Sequence, residues 1–198
     1  MACRYHYRGC YINCTVSGNS CNFFRKHLTR FTEKVALFKR NTHVRTIDTQ
    51  AYLTVLHELV EDGNSVSLNV SGMSMFPFLE HERDTVYFEA PKRKLRKGDI
   101  VFYQRRNGQF VMHRIYKAEG DSYFIVGDAQ RVIEGPVLGD QIFAIVTQVK
   151  RNGTVLTPSS LKWKFFEKVW INLVPYRGVL MLPYRVVRKV RTMIGDGS

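Results

Sequence analysis

The stretch Val70-Ser71-Gly72-Met73-Ser74-Met75-Phe76-Pro77-Phe78-Leu79 decides how this chain is read. It follows Ser65-Val66-Ser67-Leu68-Asn69-Val70, whose valines and leucine fall on one face with a two-residue period, the pattern of a half-buried strand. Gly72 permits a tight backbone turn, and Pro77 keeps the next turn from continuing as a helix. Ser74 is therefore left at the head of a constrained turn between two methionines, with Phe76 and Phe78 close behind. A serine held this way becomes a nucleophile if a base reaches it. Serines in Gly/Pro turns also commonly hydrogen-bond their own backbone, so the turn alone leaves both roles open.

Outward from this turn, the segments are short and β-like. Thr85–Glu89, Ile100–Tyr103, Phe110–Tyr116, Tyr123–Val126 and Ile142–Val146 are rich in β-branched and aromatic residues. Between them lie Lys97-Gly98-Asp99, Arg106-Asn107-Gly108, Glu119-Gly120-Asp121 and Gly127-Asp128, all turn chemistry. Several short strands at close spacing predict a mainly β body, a sandwich or small barrel rather than βαβ units. Asn107-Gly108 is the strongest hairpin signal and joins the segments on either side of it. Ahead of the serine turn, Asp48-Thr49 can cap a helix in which Tyr52, Leu53, Val55, Leu56, Leu59 and Val60 recur at helical spacing. Glu61-Asp62-Gly63 ends that helix, which is expected to pack on the body.

A base for Ser74 is sought among the histidines of the body. His57 falls inside the amphipathic helix and His81 in a charged turn, whereas His113 sits mid-strand after the Asn-Gly hairpin. Strand histidines are usually structural, but imidazole titrates near neutrality and can take a hydroxyl proton and return it to a leaving amine. An acid should orient the ring. Asp128 is best placed by chain order, and Asp99, Glu134 and Asp140 remain open.

The formal net charge is +13, unevenly spread over 198 residues. Residues 1–46 hold nine Lys/Arg against Glu33, and residues 161–198 hold eight against Glu167 and Asp196, so the middle is near neutral. The flanks, not the body, would meet anionic partners. This divides the chain into a basic and irregular extension over 1–46, either a flexible arm or an upstream extension that contributes little, a body over 47–158 and a basic amphipathic segment over 159–198. Cys3, Cys10, Cys14 and Cys21 all lie in the first 21 residues without a C-x-x-C pair, so neither a metal site nor a cofactor is expected. There is no signal-peptide apolar run and no stretch of about twenty apolar residues. The expected location is cytoplasmic, with peripheral contact at the inner face of a membrane.

That contact would come from the C-terminal segment. Trp163, Phe165, Phe166, Val169, Trp170, Ile171, Leu173 and Val174 are followed by Val179–Leu182, and then by apolar residues alternating with Arg185, Arg188, Lys189 and Arg191. Such a mixture suits an anionic membrane surface, and it equally suits packing on the body with a solvated basic face. No nucleic-acid-binding motif accompanies the cations, so nucleic acid is not an expected partner.

Ser71-Gly72-Met73-Ser74-Met75-Phe76-Pro77 resembles the S-G-x-S-M-x-P box of type I signal peptidases and of LexA-like self-cleaving repressors. Arg83-Asp84-Thr85-Val86, Lys97-Gly98-Asp99-Ile100-Val101, Val111-Met112-His113-Arg114-Ile115 and Gly127-Asp128-Ala129-Gln130 resemble the superfamily's later boxes, in its order, over about residues 64–150. The histidine places the chain nearest the archaeal and endoplasmic-reticulum-like branch, as a soluble-looking bacterial side branch. The resemblance implies that the body over 47–158 is a peptidase-like domain, a signal-peptidase/LexA-like all-β catalytic body that binds an extended peptide by strand addition. It also implies Ser74 as nucleophile, His113 as general base and Asp128 as the orienting acid. Gly72, Met73, Met75, Phe76 and Pro77 would line the substrate. The backbone N–H of Ser74 would serve the oxyanion, with the second donor unassigned. Arg83 stands where the family has a turn glycine, and Gln130 where it has asparagine. The expected function is a serine endopeptidase cutting a leader or precursor peptide. The alternatives are a LexA-like regulator that cuts itself, and a peptide-binding module without chemistry.

Overall fold

The structure, a computed structural model, describes residues 2–7, 10–15 and 49–184. Helix α1 (Thr49–Glu61) buries Leu56 and Val60 against the body. It stops at Gly63, whose φ of +82° suits a residue without a Cβ. The N–H groups of Gly63 and Asn64 return to the carbonyls of Val60 and Leu59, closing the helix with a paired C-terminal motif.

Eight strands follow: β3 (Val66–Asn69), β4 (Asp84–Glu89), β5 (Ile100–Gln104), β6 (Phe110–Glu119), β7 (Ser122–Val126), β8 (Glu134–Leu138), β9 (Ile142–Arg151) and β10 (Thr154–Leu156). They form one antiparallel sheet in the order β3-β4-β9-β5-β6-β7-β8, with β10 also on β9. The mainly β body expected from sequence is thus present. The Asn107-Gly108 turn joins β5 to β6, with Arg105 and Gln109 bonded across it.

β5 is buried on both faces, which explains why it reads as an unbroken apolar run. Ile100 and Phe102 enter a core with Phe78, Phe88, Ala144 and Trp163. Val101 and Tyr103 enter a second core with Ile115, Ile125, Val137 and Ile145.

Three elements differ from expectation. β8 carries Gly135 and Pro136 and gives a poor strand signal, but it stands at the end of the sheet, where a residue without an N–H is tolerated. β9 continues past Val146 to Arg151 because β4 and β10 go on pairing with it. The N-terminal extension is not irregular throughout. β1 (Ala2–Tyr7) and β2 (Cys10–Thr15) pair antiparallel, as Tyr5 and Tyr7 before Arg8-Gly9 and Tyr11, Ile12 and Thr15 after it favour. The rest of that extension lies outside the described residues, as does the basic tail from Arg185.

The C-terminal segment forms α2 (Leu161–Lys168), a 3-10 turn (Trp170–Tyr176) and the short α3 (Arg177–Leu180). Trp163, Phe166, Trp170 and Met181 complete the first core, while Ile171 and Val174 pack with Val126. One face of this amphipathic segment is therefore part of the body.

Candidate functional site

The serine turn is anchored from below. Met75, Phe78 and Leu79 are buried in the first core, and the Phe78 ring meets Trp163 at 5.3 Å and Phe166 at 5.0 Å between centroids. The N–H groups of Phe76 and Leu79 bond the carbonyls of Met73 and Met75. Gly72 has a φ of +90°, which a side chain would strain, and its N–H donates to His81 Nδ1 at 3.3 Å. Ser74 is half-buried. Of the residues expected to line a peptide, Gly72 is exposed and Met73, Phe76 and Pro77 are half-buried. Met75 points into the core and supports the turn from behind, and Phe76 stacks on Tyr184 at 3.9 Å.

The turn after β7 meets this serine turn directly. Ala129 N–H donates to the Ser74 carbonyl at 2.8 Å. A Cβ on Gly127 would come within 2.6 Å of that same carbonyl oxygen and 2.9 Å of Gln130 Oε1. Gln130, in the family's asparagine position, closes the turn by accepting the Gly127 N–H and donating its own N–H to the Gly127 carbonyl. The β6–β7 ladder ends at Arg114 opposite Val126, one residue short of both His113 and Gly127. The serine turn thus rests on the residue that follows this ladder. Gly127→Ala is expected to push the serine turn away at a cost of roughly 1–3 kcal/mol. A crystal structure and denaturant unfolding of the variant would check both.

Asp128, expected to orient His113, is fully buried and bound elsewhere. Arg114, the residue after His113 and so on the opposite face of β6, grips it through Nε at 3.0 Å and Nη2 at 2.8 Å. Arg114 Nη1 donates to the Gly98 carbonyl at 2.8 Å, and its guanidinium lies 4.9 Å from the Phe78 ring centroid. One fully buried arginine therefore ties together the serine turn, the Lys97-Gly98-Asp99 turn and the Gly127-Asp128 turn. Arg177 of α3, also buried, donates to the carbonyls of Gly127 and Gln130, and Trp170 Nε1 donates to the Asp128 carbonyl at 2.9 Å. The other open acids separate cleanly. Asp99 is held by Arg93 through both oxygens and accepts the Arg96 N–H. Asp140 is exposed. Glu134 is bound by Arg105, whose guanidinium holds its carboxyl below the usual carboxylate range.

His113 is 3% exposed, and its Nδ1 lies 3.4 Å from the Tyr103 hydroxyl, its hydrogen-bond partner among the described residues. No hydrogen bond joins it to Ser74 Oγ among those residues. Burial pushes its pKa down to about 4, with the Glu134 carboxylate working against that shift and Arg105 adding to it. Burial would raise the Asp84 carboxyl, but hydrogen bonds from Arg151 and Arg83 outweigh it and hold the group at about 2. Arg83 thus has a job that a glycine could not do, and the left-handed turn conformation falls on Glu82, at φ +57°.

A model of the Peptidase S24-like family matches residues 30–149, more than half of the chain. The chain belongs to the Peptidase S24-like family. That family lies in the LexA/signal peptidase-like superfamily, and its members are generally serine peptidases. The match begins ahead of residue 47 and takes in α1 as well as the sheet. No curated protein matches the chain.

The two depressed pKa values set how stability of this S24-like body depends on pH. In the unfolded chain His113 is protonated below about 6.5, whereas in the fold it stays neutral until about 4, so stability is full above 6.5 and drains away across that window. The Asp84 contribution is full above about 3.8 and is lost toward 2. The Asp84 shift is worth roughly 2 kcal/mol and the His113 shift roughly 3 to 3.5 kcal/mol. The urea midpoint should hold steady down to pH 7 and then fall between pH 6.5 and 4, and His113→Phe should flatten that fall. A midpoint constant from pH 7 to 4 would contradict the burial of His113.

Proposed function

We propose that this S24-like chain is a serine endopeptidase in which Ser74 is the nucleophile and His113 the general base. What supports the pairing is the contact of the serine turn with Gly127, the residue just past the Arg114–Val126 pair that closes the ladder next to His113. Ser74 Oγ would attack the scissile carbonyl carbon while its proton passes to His113 Nε2. That proton then goes to the leaving amine, and water clears the acyl-enzyme. A base with a pKa of about 4 stays unprotonated, hence available, throughout the neutral range.

The substrate is a leader or precursor peptide bound extended. β3 ends the hydrogen-bonded sheet and runs into the serine turn, with β2 lying against it, so a peptide strand delivered to Ser74 along this edge would take the place of β2. The outer face of the C-terminal segment supports a membrane-surface setting. Phe165, Val169, Tyr176, Val179, Leu180 and Leu182 are exposed there, beside exposed Lys162, Lys164 and Lys168. Among the described residues no helix is long and apolar enough to cross a membrane. A self-cleaving, LexA-like role is the second reading, favoured by the family match itself.

Incubating the chain alone, and with a diverse peptide library with and without anionic vesicles, separates these by mass spectrometry. Peptide products from wild type and none from Ser74→Ala are the expected result, with vesicles raising the rate. A single cut within the chain itself and intact peptides would favour self-cleavage. Equal products from both variants would sink the peptidase assignment of Ser74.

A further inference from the structure

The polar group that His113 meets is a tyrosine. Val101 is paired with His113 across the β5–β6 ladder, so Tyr103, two residues on, shares its face of the sheet. Tyr103 is fully buried, its ring centroid is 6.2 Å from that of His113, and its hydroxyl oxygen is 3.4 Å from Nδ1. Burial raises the pKa of that hydroxyl, Glu134 of β8 acts on it in the same direction, and Arg105 works against the rise. Arg105 in turn holds Glu134, with Nε 2.6 Å from Oε1 and Nη2 on Oε2.

The protons in this chain can be counted. An ionised carboxylate only accepts, and the guanidinium of Arg105 keeps Glu134 ionised, so Glu134 is the acceptor on that side for the single hydroxyl proton of Tyr103. The hydroxyl oxygen is then an acceptor toward His113 as well as toward Arg105, and on the imidazole the group that can donate to it is an Nδ1–H. That places the imidazole in the tautomer whose Nε2 carries the free lone pair. A general base for a serine hydroxyl needs that tautomer, and a negative charge behind it stabilises the imidazolium as it forms.

We infer that Tyr103 and Glu134, anchored by Arg105, form the relay that fixes the tautomer and orientation of His113, in the place where an aspartate would be expected. Tyr103 and Glu134 are positioning residues, while Asp128 serves Arg114 and the turn beside the serine. The relay deepens the proposed function, since it rests on His113 as the base, yet its test does not depend on turnover.

The test is nitrogen NMR of selectively labelled histidine in the full chain at pH 7, in wild type, Tyr103→Phe and Glu134→Gln, with His113→Phe used to assign the signal. Wild type is expected to show His113 protonated at Nδ1. Tyr103→Phe keeps the ring in the core but removes the acceptor, and a shift toward a mixture of tautomers is expected. Glu134→Gln is expected to move the signal the same way, which covers the case of a poorly folded Tyr103→Phe. Where peptide cleavage is measured, both variants should lose roughly tenfold to a hundredfold in kcat, the worth of a hydrogen bond within a charged network, with KM little changed. An Nε2–H tautomer in wild type, or a tautomer unmoved in both variants, overturns the relay. An Nδ1–H tautomer that responds to the variants in a chain that cleaves nothing would keep the relay and remove the base from the proposed function instead.

Discussion

Ser74→Ala is expected to lower kcat/KM for peptide cleavage by roughly four orders of magnitude or more, because a nucleophile and its base act as a unit and the loss of either removes the covalent route. The fold should not register the change. Ser74 Oγ makes no hydrogen bond among the described residues, and the turn is held by Met75, Phe78 and Leu79 below it and by the Ala129 N–H on the Ser74 carbonyl. The thermal midpoint of Ser74→Ala should therefore match wild type. His113→Ala should cost a similar factor in rate, and the double variant should be no slower than either single one. Independent, multiplying losses would mean that the two residues do not share one step. Full activity in Ser74→Ala would move the nucleophile elsewhere.

Arg114→Met should produce the largest loss of stability, about 3–5 kcal/mol, which is the cost of leaving a buried charge without its partner. In this protein the consequence is concentrated. Asp128 would keep only Arg177, 4.0 Å away, and the Gly98 carbonyl would lose its Nη1 donor. For a chain of this size the midpoint of thermal unfolding should fall by about 10 °C or more. Asp128→Asn should be damaging as well, because it strands two buried arginines at once. Arg114→Met combined with Asp128→Leu should recover only part of the loss, since Arg177 would remain buried without a countercharge. Denaturant unfolding of the four proteins gives these values directly. A cost below about 1 kcal/mol for Arg114→Met would show that the pair is solvated rather than buried. If Asp128 instead acted on His113, Asp128→Asn would spare stability and lose rate.

Fold class was legible in the sequence because strands and turns are announced by local chemistry. The alternation over Ser65–Val70, the apolar run Ile100–Tyr103 and the turn at Asn107-Gly108 each produce the element observed, and Gly63 stops α1 where a residue able to adopt positive φ is needed. The elements that escaped notice lacked such cues. β8 contains glycine and proline and is tolerated only because of its place in the sheet, and the far half of β9 is a strand because β4 and β10 pair with it.

The candidate site divides along the same line. Its serine turn, its histidine and its acids stand in the sequence as recognisable boxes. Which acid serves which base does not, because strand alternation sends His113 and Arg114 to opposite faces of β6 and so to different partners. Arg114 claims Asp128, while the Tyr103 hydroxyl is the group beside His113 Nδ1. Arg177, a single cation in a basic tail when read along the chain, is buried against the carbonyls of Gly127 and Gln130. The sequence by itself determined the strands, the turns and the residue types available for chemistry, since these follow from side-chain periodicity and backbone permissiveness. Only the tertiary structure decided the pairing of charges. A buried carboxylate goes to whichever guanidinium reaches it in register, and that register is set by the whole sheet.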